Sequence, residues 1–140
     1  MHTSTGILRI ERSIACEGCI WAYLECCAEL GRYYRFAARF LDPQFIRLMK
    51  PAWGTHVTVI RREVPKNETK MWGRNKSVVT FQYEAPVRSN NKHVWLDVDC
   101  EEILDFRESV GLPRNPEFKL HCTVGVMPGE DKGQKSRPFP

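Results

Sequence analysis

No stretch of this chain approaches the roughly 18 consecutive apolar residues that a membrane span needs. Its start, MHTSTGILRIERS, has neither the apolar core nor the cleavage site of a secretory leader. Those absences point to a cytoplasmic protein without membrane contact. Excess charge is small: 21 Lys and Arg against 17 Asp and Glu leave +4, too little for a general nucleic-acid coat but suited to a small phosphorylated partner. Regular cysteine spacing is missing too. Cys16 and Cys19 form one C-x-x-C, Cys26 and Cys27 follow, and Cys100 and Cys122 stand far downstream. A four-thiolate zinc site would want a second C-x-x-C, so most of these thiols read as reduced core residues, and neither a metal nor a cofactor is expected.

What is present fits one domain over residues 1–140. A chain of this length with 42% hydrophobic residues can bury about two thirds of its unfolded surface without disulfides. Residues 18–26 alternate, with Ile20, Ala22 and Leu24 on one side and Trp21, Tyr23 and Glu25 on the other, which predicts a strand. A basic amphipathic helix is expected from Ala28 to Leu41, stopped by Asp42-Pro43, then a short strand over Phe45 to Leu48. Strands are predicted at 55–62, 77–83, 94–98 and 118–126, with a single helical turn around 67–72. Asp99 reads as the cap of a helix that ends at Gly111-Leu112-Pro113. Residues 128–140 are Gly, Pro and charge, and read as a mobile tail.

Two tetrapeptides carry the chemistry. His56-Val57-Thr58-Val59 and His121-Cys122-Thr123-Val124 each read His, apolar, Thr, apolar on a predicted strand. Alternation puts His and Thr on one face, about 6–7 Å apart, and turns the residue between them into the core. Two copies in a chain with 4 histidines are a chance event on the order of one in a thousand at ordinary residue frequencies. Brought together in one groove, two imidazoles can supply the base and the acid of phosphodiester cleavage, while two hydroxyls hold the phosphoryl oxygens.

This pair of motifs resembles the 2H phosphoesterase superfamily, and a strand and helix precede each copy, at Ile20 to Leu41 and at Val94 to Gly111. The resemblance implies an α+β fold of two pseudo-symmetric lobes, each an antiparallel sheet with a helix outside, around a central groove. The segments KPAWGTHVTVIRRE and WLDVDCEEILDFRESVGLP followed by KLHCTVGV look like bacteriophage members that destroy cyclic oligonucleotide alarm signals, the anti-CBASS nucleases. That implies a metal-independent phosphodiesterase for cyclic di- or trinucleotides such as cGAMP, working in the host bacterial cytosol for immune evasion. His56 and His121 would be base and acid in an unassigned order, with Thr58 and Thr123 on the phosphate and Tyr23 contributing. The group also implies acidic and aromatic contacts from the C-terminus, where Glu130, Asp131 and Phe139 stand. RNA-end processing, by opening or ligating 2′,3′-cyclic phosphates, is a second reading, and a non-catalytic nucleotide sponge a third.

Around the motifs, simple alternation places Arg62 with His56 and Thr58, and Lys119 with His121 and Thr123, so either could meet phosphate. Trp53 and Trp72 could stack on bases or pack in the core. Burial is the expected role of Trp95, and packing that of Tyr33 and Tyr34. Gly125 leaves room for a nucleotide or marks a strand bend.

Overall fold

Alternation begins near the N-terminus: Gly6, Leu8 and Ile10 are buried while Ile7, Arg9 and Glu11 are not. In the computed structural model, which describes residues 1–129, His2–Arg12 is accordingly strand β1. The chain continues as β2 (Ile20–Cys26), helix α1 (Ala28–Ala38), β3 (His56–Glu63), α2 (Glu68–Trp72), β4 (Val78–Ser89), β5 (His93–Asp99), α3 (Glu101–Ser109) and β6 (His121–Val126). Pro43–Arg47, expected to lead into a strand, is a 3₁₀ turn, because Pro43 presets its first residue and the Asp42 carboxylate caps the Gln44 N–H at 3.1 Å. Helix α3 is capped at Cys100, and Asp99 is the last residue of β5, not the cap. The last strand begins at His121, three residues later than its composition implied. Residues 130–140, with Glu130, Asp131 and Phe139 and most of the expected tail, lie outside the described residues.

The strands do not divide into two lobes with outer helices. They close into one antiparallel barrel in the order β1-β2-β3-β6-β5-β4, which overturns the α+β two-lobe expectation. Two ladders are responsible. The long β1 pairs with β2 on one side and β4 on the other, and β3 pairs directly with β6 through His56–Thr123 and Val57–Cys122. Neither half therefore keeps the free sheet edge that a separate lobe needs.

One face of the barrel wall is apolar. Leu24, Val57, Cys122 and Leu96 lie side by side on four neighbouring strands, each fully buried. Burying such side chains stabilises the fold by about 1.5–3 kcal/mol apiece. Tyr34 and Ala38 of α1 and Ile103 and Phe106 of α3 join the same contiguous cluster. The residues between, His56, Thr58, His121 and Thr123, take the opposite face. No helix among the described residues is long and apolar enough to cross a membrane.

Two features depart from the cysteine and alternation readings. Cys16 and Cys19, with Cα atoms 5.3 Å apart in the β1–β2 connection, are disulfide-bonded, while Cys26, Cys100 and Cys122 are buried free thiols and Cys27 is an exposed one. Strand β3 is bulged twice. Thr58 pairs with Tyr23 and Ile60 with Ala22, so Val59 is supernumerary; Trp21 pairs with Arg61 and Ile20 with Glu63, so Arg62 is extruded, with φ 54°. The Val59 carbonyl takes a 2.9 Å hydrogen bond from Arg107, a fully buried side chain of α3 that also grips Glu63 at 2.7 and 2.8 Å and the Pro113 carbonyl at 3.0 Å.

Candidate active site

The β3–β6 ladder sets His56 opposite Thr123, and the same register continued by two residues sets Thr58 opposite His121. Directly opposed residues have Cβ atoms about 4.5–5.5 Å apart and diagonal ones about 7–8 Å. The two imidazoles are a diagonal pair, with a threonine opposite each of them. The outer strands complete two matching rows. Glu25, His56, Thr123 and Trp95 form one, and Tyr23, Thr58, His121 and Asp97 the other. Read in opposite directions, each row gives an aromatic, a threonine, a histidine and a carboxylate.

The histidines are held alike. His56 Nδ1 lies 2.7 Å from the Gly54 carbonyl, and His121 Nδ1 lies 2.7 Å from the Lys119 carbonyl, in both cases two residues upstream. A carbonyl only accepts, so each Nδ1 carries its proton and each Nε2 is left for chemistry. Gly54 can present its carbonyl this way because the Pro51–Gly54 turn needs φ +72° at its end. Each ring is also held between two aromatic side chains that meet it at steep angles. Trp21 and Tyr23 lie 6.1 and 6.3 Å from His56, and Trp95 and Phe118 lie 6.1 and 6.3 Å from His121.

Their electrostatics differ. His56 is 8% exposed, and burial pushes its imidazole below the ordinary histidine value; the Gly54 hydrogen bond opposes this, and the neighbouring His121 and His93 rings add to it. At neutral pH it is therefore an uncharged ring with a free Nε2 lone pair. His121 is more open, and Asp97 stands across the β5–β6 ladder from it. His93, on the same face beyond Trp95, is also shifted down by burial, then by Lys92, His121 and Arg61.

Of the residues that the sequence nominated, the structure brings His56, Thr58, His121, Thr123, Tyr23 and Trp53 together. Trp53 packs on Trp21 and Tyr23 at 5.3 and 5.5 Å. Trp72 is elsewhere: on α2 it packs against the core cluster, beneath the Arg12 guanidinium at 5.4 Å, with its indole N–H on Glu68. Arg62 does not share the histidine face, because the bulge at Val59 shifts the alternation and hands that face to Arg61. Lys119 is committed to Asp97 at 3.4 Å. Gly125 offers no room for a nucleotide; a Cβ there would come within 3.2 Å of Arg35 and Leu48, so its role is close packing of α1, whose Arg35 also bonds the Val124 carbonyl at 2.8 Å.

Other groove residues went unassigned. Trp95, expected in the core, is half-buried beside His121, and the alternation of buried Val94, Leu96 and Val98 against Trp95 and Asp97 was the available signal. Phe118, Arg61 and His93 were missed as well, and for Arg61 no local signal existed. Tyr33, expected to pack, is 64% exposed, whereas Tyr34 is buried. Among the described residues no three His, Cys, Asp or Glu side chains are grouped so as to share a metal ion. Compared with known proteins, the chain matches no family model, no curated protein sequence and no solved structure.

Proposed function

We propose that the groove is the active site of a phosphodiesterase that opens cyclic di- or trinucleotides by histidine acid–base catalysis. The observation that carries this reading is the mirrored anchoring of two imidazoles, each with Nδ1 tied to a backbone carbonyl and Nε2 left for chemistry, at diagonal positions of one ladder. His56, uncharged at neutral pH, takes the proton of a ribose 2′-hydroxyl. The 2′-oxygen attacks phosphorus, the bond to the leaving oxygen breaks, and protonated His121 delivers its Nε2 proton to that oxygen. The products are a linear nucleotide ending in a 2′,3′-cyclic phosphate and a free hydroxyl. Thr58 and Thr123 donate to the non-bridging oxygens as charge builds on them. Both proton transfers come from the protein, so the chemistry needs no metal.

The aromatic side chains support a substrate with two bases. Tyr23 and Trp53 stand on the His56 side and Trp95 and Phe118 on the His121 side, so bases on both sides of one reacting phosphate have a ring to stack on. The motif resemblance to bacteriophage anti-CBASS nucleases points the same way, toward removal of a host alarm nucleotide. The test is incubation of the full chain, in EDTA, with cyclic di- and trinucleotides and with RNA ending in a 2′,3′-cyclic phosphate. A linear product with a terminal cyclic phosphate supports the reading. Turnover of the RNA end alone moves the function to RNA repair, binding without turnover makes the protein a nucleotide sponge, and activity that disappears on chelation removes the mechanism.

A further inference from the structure

We propose that Arg61 is a second phosphate-binding residue, which holds the non-reacting phosphate of a cyclic dinucleotide while the other phosphate lies between His56 and His121. The inference rests on the phosphodiesterase reading and narrows its substrate to molecules with two phosphates. Three observations lead to it. First, the bulge at Val59 turns Arg61 onto the histidine face, one face position and about 6–7 Å beyond Thr58. That is too far along the strand for its backbone to flank the reacting phosphate and near enough for a neighbouring one.

Second, the other cations on this face are already neutralised. Arg9 pairs with Glu25 at 3.4 Å, and Arg88 and Lys119 both pair with Asp97, at 3.3 and 3.4 Å. Among the described residues the Arg61 guanidinium has no carboxylate in salt-bridge reach, since Glu63, two residues on, is held by Arg107. Arg61 is exposed, so a ligand on this face can reach its guanidinium. Third, its partner in the β2–β3 ladder is Trp21, whose indole N–H is buried without a hydrogen-bond partner. The ladder thus sets a cation with no carboxylate partner among the described residues at the strand position next to an unsatisfied donor, a pairing suited to an anionic ligand.

Calorimetric titration of a cyclic dinucleotide into wild type, Arg61→Gln and Arg61→Lys tests the subsite, alongside turnover of a dinucleoside monophosphate such as ApA, a single diester that keeps the neighbouring 2′-hydroxyl and has no second phosphate. A charge-assisted hydrogen bond of this kind predicts that Arg61→Gln weakens dinucleotide binding by about 10- to 100-fold, that Arg61→Lys recovers part of it, and that turnover of the single diester changes less than about twofold. Equal binding by wild type and Arg61→Gln would overturn the proposal, as would equal loss on both substrates, which would place Arg61 on the reacting phosphate. If wild type binds the dinucleotide through Arg61 but cleaves neither substrate, the subsite stands and the catalytic reading falls.

Discussion

The two halves of the groove share one plan and differ in their surroundings. Around β3, His56 is buried against Trp21 and Tyr23, on which Trp53 packs, and its row ends in Glu25, which is tied to Arg9. Around β6, His121 is open to solvent between Trp95 and Phe118, and its row ends in Asp97, which is shared by Arg88 and Lys119. Identical anchoring with unequal burial is the arrangement that the proposed mechanism would use: the same backbone hold on both rings, with His56 pushed by burial below the ordinary histidine value. Burial favours the uncharged ring, so under the proposed mechanism the β3 half would supply the base and the β6 half the acid.

Replacing either histidine by alanine is the heaviest blow to that division. His56→Ala and His121→Ala should each lower kcat by about 10² to 10⁴, and the double variant should be little worse than the poorer single one, because the two act as a unit. Single-turnover assays with product analysis read this out; normal turnover in either variant would leave the groove with one working half. Assignment of the roles follows from the pH profile. A base must be unprotonated, and burial has lowered the His56 value, so the acidic limb of kcat/KM should have its midpoint below about pH 6.5. A midpoint above that value would reverse the roles.

Smaller effects probe the symmetry itself. Thr58→Val and Thr123→Val keep shape and remove a donor to a charged oxygen, and each should cost about 10- to 100-fold in kcat/KM; a large loss at one and none at the other would show that the phosphate sits nearer one strand. Trp53→Ala and Trp95→Ala should each weaken dinucleotide binding by about 1 to 3 kcal/mol, the usual worth of one stacked base, measured by titration. The least consequence is expected from Arg9→Gln. Its pair with Glu25 is substantially exposed, so thermal or urea denaturation should show no more than about 1 kcal/mol of lost stability.

Period-two alternation was enough to group the candidate site residues. It put His56 with Thr58 and His121 with Thr123, sent Val57 and Cys122 into the core, and grouped Trp21, Tyr23 and Glu25 on one face of β2, all of which the ladders reproduce. Trp95 was legible by the same rule, from its phase with Asp97, but its size argued for burial and prevailed. What alternation cannot express is which strand lies beside which. The outward polar residues Thr3 and Thr5 hid β1 as a strand, and without β1 nothing in the chain foretold closure into a barrel. Arg62 failed for a different reason. A bulge is an insertion relative to a partner strand, so it leaves no mark in the strand's own sequence, and every assignment past Val59 slipped by one.

That extra residue makes the groove's charge adjustable from behind. Arg107 grips the Val59 carbonyl from the apolar side of the wall, where no nucleotide reaches. Its hold works like a tuning peg at the far end of a string: it fixes which of two adjacent arginines is presented, while His56, upstream of it on the same strand, stays where it is. If the proposed function holds, preference between substrates could thus drift through changes in a buried helix contact, with the histidine strands left untouched.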